Sequence, residues 1–259
     1  MPKFDANITM LYTELDFLDR FAAARADGFK GIEYLFPYAY PKHQLHELLH
    51  EHDLVQVLHN LPAGDWAKGE RGIACLPDRK AEFQESVGKA IEYASELHCP
   101  QVNCLAGIKP DNVTAAQAHD TLVENLQFAA PLFAKAGIKL LIEAINPIDI
   151  PGFFLNTTRQ SLGVIADVGS DNLFVQYDIY HMQITEGDLA RTMRAHLDLI
   201  PHIQLADNPG RHEPGTGEIN YPFLFSFLDR IGYKGWIGCE YKPMDTTASG
   251  MHWIDPYRR

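Results

Sequence analysis

The stretch WIGCEYKP, Trp236–Pro243, begins as a buried strand and stops on a carboxylate. Trp236, Ile237, Gly238 and Cys239 suit an interior, whereas Glu240 at their tip does not. A buried charge is costly unless it is paired, hydrogen-bonded or bound to a metal. Glu240 is therefore either neutralised by structural partners or placed there for chemistry. The answer depends on what the other strands carry at their ends.

Working outward, the chain repeats strand, loop and helix. Apolar runs predict strands at 4–10, 31–36, 54–60, 101–107, 138–146, 173–178, 202–207 and 236–240. Helical spacing predicts helices over 14–27, around Leu45, Leu48, Leu49 and His52, over 79–98, after Thr114, over 158–168, near 187–198 and over 221–230. Thr114 with Gln117, and Thr157 with Gln160, have the spacing of capping boxes. Pro131 is expected to kink or end its helix. The segment 61–77 reads as a long loop, of the kind usually kept for function. Continuous apolar strands alternating with helices fit a parallel sheet covered by helices. The fold class is α/β, and a single (β/α)8 TIM barrel over 1–259 is the expected architecture. A doubly wound open sheet is the alternative, but no GxGxxG follows the first strand.

Composition excludes several classes. With 22 basic and 34 acidic residues the net charge is −12, which disfavours nucleic acid and anionic membranes as partners. No apolar run is long enough to span a bilayer, and the N-terminus lacks a signal peptide's apolar region. Cys75, Cys99, Cys104 and Cys239 have no CxxC spacing, and they read as reduced packing residues of a cytoplasmic protein.

A barrel of this type places its active site at the C-terminal ends of the strands. The polar residues there are Asn7, Glu33, His59 with Asn60, Asn103, Glu143, Asp178, Gln204 and Glu240. The last four come from consecutive strands and carry oxygen ligands. Three carboxylates and one amide suit a divalent metal, Mg2+ first and Mn2+ second, better than zinc or copper.

The runs LHNLPAGDWAKGERGIACLP (58–77), LLIEAINPIDIPGF (140–153), QYDIYHMQ (176–183), HIQLADNPGRHEPGTGEINY (202–221) and WIGCEYKP resemble the hydroxypyruvate isomerase family of xylose-isomerase-like barrels. The resemblance covers essentially the whole chain. It implies an isomerase interconverting hydroxypyruvate and 2-hydroxy-3-oxopropanoate through an enediolate. It further implies Glu143 and Glu240 as metal ligands that also move protons, with Asp178 and Gln204 as the remaining ligands. Related ketose epimerases usually carry a histidine at the position of Gln204. His181 is a candidate to hydrogen-bond a substrate oxygen. Arg211, His59, Lys242 and Arg71 are candidate counter-charges for the substrate carboxylate, with Trp66 excluding water. The rival functions are a 2-oxo-tetronate isomerase, a ketose 3-epimerase, an endonuclease IV-type nuclease and a non-catalytic sugar-acid sensor. A small sugar acid is the expected partner, and a homo-oligomer built through the outer helices is plausible for such barrels.

Overall fold

The structure is a computed structural model and describes residues 2–257. Eight strands, β1 (Lys3–Asn7), β2 (Gly31–Glu33), β3 (Val55–Asn60), β4 (Gln101–Cys104), β5 (Lys139–Glu143), β6 (Leu173–Asp178), β7 (His202–Leu205) and β8 (Trp236–Cys239), pair in chain order. All pairs are parallel, and β8 closes on β1 with Lys3 opposite Trp236 and Ala6 opposite Cys239. The expected barrel is therefore the observed one.

The helices are α1 (Arg20–Ala26), α2 (Lys42–Glu51), α3 (Lys80–Glu96), α4 (Ala115–Lys135), α5 (Thr158–Val168), α6 (Ile179–Thr185), α7 (Leu189–Ala195) and α8 (Tyr221–Ile231). On α3, the residues Phe83, Val87, Ala90 and Ala94 are buried, at the spacing that keeps one helix face against the sheet. Both capping boxes form: Thr114 accepts from the Gln117 N–H, Thr157 accepts from the Gln160 N–H, and each glutamine returns a bond to its cap. Among the described residues no regular helix follows β8. A 3-10 stretch, Met251–Tyr257, takes its place, and Trp253 packs edge-on against Phe4 at 5.3 Å while Tyr257 packs on Phe225 at 5.0 Å.

Three expectations are corrected. Pro131 neither ends nor divides α4, which runs on to Lys135. The burial of Ala129, Ala130 and Phe133 around it outweighs the lost backbone bond. The segment after β6 holds two short helices, with α6 starting directly after its N-cap Asp178. Several strands also end earlier than their apolar runs: β5 stops at Glu143, and the backbone then turns out to build the barrel mouth.

The barrel interior is apolar at one end only. Val57, Leu58 and Leu141 form a small buried cluster, closed by Phe174 and Trp236 and separate from the main helix–sheet core. Toward the strand ends the interior turns polar, with Asp5, Asn7, Glu33, His202 and Gln204 all buried. Gly238 makes that packing possible. A Cβ there would lie 2.5 Å from Oε1 and 2.6 Å from Oε2 of Glu33. Gly238→Ala should therefore destabilise the protein by about 1–3 kcal/mol, the usual cost of overpacking. A lowered urea midpoint with an unchanged m-value is the expected result, and an unchanged midpoint would show that Glu33 can move aside.

Candidate active site

A cavity of about 640 Å³ opens at the C-terminal ends of the strands. Glu143, Gln176, His181, Arg211, Glu240 and Lys242 line it, with Trp66 and Arg71 on the side of the long loop.

Each acidic group is held by a neighbour. Glu143 ends β5, and its Oε2 accepts from Asn103 Nδ2 at 3.1 Å; the same Nδ2 donates to Asn60 Oδ1. Glu240 follows β8, where its Oε1 accepts from Asn7 Nδ2 at 3.1 Å and its Oε2 from Arg211 Nη2 at 2.8 Å. Asp178 ends β6 and caps α6, with Oδ1 accepting from the Tyr180 N–H at 2.8 Å. Its Oδ2 is buried and makes no hydrogen bond. That oxygen lies 3.5 Å from His181 Nε2 and 3.9 Å from Arg211 Nη2. Gln204 donates through Nε2 to Glu33 Oε1 at 2.8 Å, and its Oε1 accepts from Gln176 Nε2 at 2.6 Å.

Loss of water dominates the electrostatics. Burial, then the charges of Glu240 and Asp178, push Glu143 well above the carboxylate range. Burial raises Glu240 to about 8, although the Arg211 guanidinium pulls the other way. Burial likewise raises Asp178 to about 6 against Arg211 and the backbone N–H groups of α6. His181 is pushed well below the usual histidine range, by burial first and by Arg211 second. Its Nδ1 lies 2.6 Å from Asn146 Nδ2, so a neutral ring carries its proton on Nε2, on the side of Asp178.

This donor set fits a divalent cation. Three dehydrated carboxylates repel one another, and one buried oxygen, Asp178 Oδ2, has no hydrogen bond. Carboxylate oxygens of Glu143 and Asp178 lie within 4.8 Å of each other, and His181 beside them offers its Nε2–H as a donor. Arg211 supplies part of the missing positive charge. It also pairs with Asp149 at 3.3 Å and lies 5.1 Å from the Tyr180 ring.

Of the candidate counter-charges, Arg211, Arg71 and Lys242 line the cavity and His59 does not. His59 is fully buried, with its ring 6.0 Å from that of Tyr38 and against the Ala90 backbone of α3. Burial pushes it down to about 3, so it is neutral and faces the wrong layer to meet a carboxylate. Sequence reasoning gave no role to Gln176, Asn146 or Asp149. Gln176 was findable, because it sits two residues before Asp178 and so shares its side of β6. Asn146 and Asp149 lie in an irregular loop, where no periodicity points to them.

The raised carboxyl groups carry a pH signature in metal-free protein. Glu240 titrates at about 8 when folded against an ordinary value of 4.5. Its contribution is fully present below the lower value and is lost as pH rises through the higher one. Asp178, at about 6 against 3.8, acts with the same sign. EDTA-treated protein should therefore lose stability between about pH 5 and pH 8. The loss should shrink in Glu240→Gln, and Mn2+ should restore stability most at the alkaline end. Urea midpoints across that range check this; a midpoint that rises with pH would contradict it.

Comparison with known proteins agrees with this geometry. The family described as xylose isomerase-like TIM barrel matches residues 21–257. Hydroxypyruvate isomerase of Escherichia coli (strain K12) is 54% identical over 258 residues, covering 100% of both chains. A 2-oxo-tetronate isomerase of Cupriavidus necator is 48% identical, covering 99% of each. A crystal structure from Brucella melitensis titled AP endonuclease, family 2, superposes with a TM-score of 0.97 at 42% identity, over the full length of both chains. The chain belongs to the xylose isomerase-like TIM barrels and, within them, to the hydroxypyruvate isomerase family.

Proposed function

We propose that the protein interconverts hydroxypyruvate and 2-hydroxy-3-oxopropanoate. The observation that carries this reading is the meeting of two raised carboxyl groups, Glu143 and Glu240, in one buried cavity. A carboxyl group whose pKa is raised toward neutrality both holds and releases a proton there, which is what acid–base catalysis requires. The end-to-end identity with the E. coli isomerase supports the same assignment.

The reaction removes a proton from the hydroxymethyl carbon and returns one to the adjacent carbonyl carbon. The carbonyl moves the other way, through an enediolate. In this reading Glu143 and Glu240 stand on either side of the reacting carbons, one taking the proton and one supplying it. His181 donates its Nε2–H to a substrate oxygen. Arg71 receives the carboxylate. Its guanidinium stacks on the Trp66 ring at 4.0 Å and donates to the carbonyls of Trp66 and Glu70, with no carboxylate partner among the described residues. Lys242 and Arg211 also line the cavity and add positive charge. Glu143, Asp178, Gln204 and Glu240 would hold a divalent cation, Mg2+ by the oxygen character of the set. When bound, such a cation supplies Lewis-acid stabilisation of the charge on the two oxygens.

A 2-oxo-tetronate isomerase is the second reading. The Cupriavidus relative favours it, and a cavity of about 640 Å³ accommodates a four-carbon acid. A nuclease is disfavoured by the net charge of −12. We also assign the protein to the cytoplasm, with no nucleic-acid or membrane partner and with assembly as a homo-oligomer. The four cysteines are buried and free, and no described helix is long and apolar enough to cross a membrane.

Metal-stripped protein incubated with hydroxypyruvate in D2O, with and without Mg2+ or Mn2+, tests the assignment. The expected product carries solvent deuterium at the carbon next to the carboxylate. Glu143→Gln and Glu240→Gln should each lower turnover by about 10²–10⁴-fold. Full activity in both variants would sink the acid–base assignment, and faster turnover of a four-carbon 2-oxo acid would move the substrate. In a separate measurement, Arg71→Met should raise KM for the acid substrate more than it lowers kcat. An unchanged KM would exclude Arg71 as the carboxylate site.

A further inference from the structure

Gln204 is the one neutral side chain among the four proposed metal ligands. An amide has two faces, and only its oxygen binds a hard cation. Something must decide which face it presents. In this barrel the deciding group is Glu33, at the end of β2 and 0% exposed. Gln204 Nε2 donates to Glu33 Oε1 at 2.8 Å. Turning the amide over would set two oxygens against each other at that distance, and a carboxylate has no proton to offer. The Nε2 face is therefore committed to Glu33. The Oε1 face points to Gln176, a residue of the cavity wall.

Glu33 is itself held in place. Asn7 Nδ2 donates to its Oε1 at 2.9 Å, and His202 Nε2 lies 2.7 Å from its Oε2. Gly238 leaves the room into which the carboxylate extends. Asn7 Nδ2 also reaches Glu240 Oε1, so one carboxylate steadies two proposed ligands, Gln204 directly and Glu240 through Asn7.

We propose that Glu33 is a positioning residue for the metal centre: it locks the Gln204 amide so that only Oε1 faces the cation. This rests on the proposed metal-dependent reading of the site. Partners of this kind behind a metal ligand are commonly worth 10–100-fold in affinity.

The test is Mn2+ binding to the metal-stripped full-length protein without substrate, read from the EPR signal of free Mn2+. Wild type, Glu33→Gln, Gln204→Glu and the double variant are compared, with Glu143→Gln as the control for the site itself. Glu33→Gln should weaken binding by about 10–100-fold. In the Gln204→Glu background the same change should cost nothing, because a carboxylate presents oxygen whichever way it turns. Equal losses in both backgrounds would mean a merely structural role and overturn the proposal, as would no loss in either. A second bound Mn2+ that disappears with Glu33→Gln would make Glu33 a ligand, in company with Asp5 and His202, whose ligand atoms lie within 4.8 Å of its own; that too overturns the proposal. Wild type that binds no Mn2+, or binds it regardless of Glu143→Gln, overturns the metal reading and the proposal with it. Should Glu33→Gln fail to fold, a crystal structure of wild type with Mn2+ decides. Gln204 Oε1 on the metal with Nε2 on Glu33 supports the proposal, and a flipped or unbound amide overturns it.

Discussion

The structure is organised around one difficulty: three carboxylates are kept dry at the mouth of a barrel. Glu143, Asp178 and Glu240 are each at most 5% exposed, and each would prefer to be neutral there. The protein meets this with fixed donors. Asn103 serves Glu143, Asn7 serves Glu240, and the first turn of α6 serves Asp178. Each donor satisfies one oxygen and constrains where the other can point. The repulsion is contained by this framework without being removed. A site prepared in this way gains most from a cation and from a proton, the two species that the proposed reaction needs.

The framework depends on barrel geometry. Alternation along each strand turns every second residue inward, and the closed register stacks those residues in tiers. The tier below the cavity holds Asp5, Glu33 and His202, and the upper one holds the proposed ligands. Such a polar interior contributes little to folding: burial first, and the Glu33 charge second, push Asp5 well above the carboxylate range. Stability must come from elsewhere. The apolar core between barrel and helices supplies it, and the cluster of Val57, Leu58 and Leu141 plugs the far end. The two ends of the barrel thus divide the work between cohesion and chemistry.

The barrel was legible in the sequence because it rests on periodicity and punctuation. The apolar runs, the two capping boxes and the carboxylates at the tips of β5, β6 and β8 all announce themselves locally. What was not legible needs three-dimensional facts. His59 and Asn60 are adjacent at the end of β3, and only the direction of the strand's pleat says which faces the cavity; the structure chooses Asn60. The helix at 179–185 was missed because its buried residues, Ile179, Tyr180, His181 and Met182, are consecutive and lack helical spacing. The persistence of α4 through Pro131 is a tertiary effect, set by packing that outweighs a local preference. Asp149 and Asn146 reach the site from a loop, where only the fold decides what meets what.

In the proposed reading, a small acid is placed by how far its carboxylate is held from the glutamate pair. The wall that carries Arg71 is firmly anchored for a loop. Gly72 bridges to Ala106 in the extension of β4, and a side chain at Gly72 would meet the Leu105 carbonyl oxygen at 2.3 Å. Asn125 of α4 donates to the Ala74 carbonyl at 2.8 Å, and Arg79 ties Glu70 to the start of α3 at 2.6 Å. The Arg71 guanidinium is further clamped between the Trp66 ring and two backbone carbonyls. Its position relative to Glu143 and Glu240 is thereby set by the fold more than by the substrate. In the proposed reading, the loop acts as a ruler between the carboxylate and the carbons that exchange a proton. Lengthening the substrate by one hydroxymethyl group leaves that distance unchanged and extends the molecule into the rest of the cavity. In that reading one catalytic arrangement serves acids of either length, and selectivity between them falls to the cavity walls beyond the glutamates.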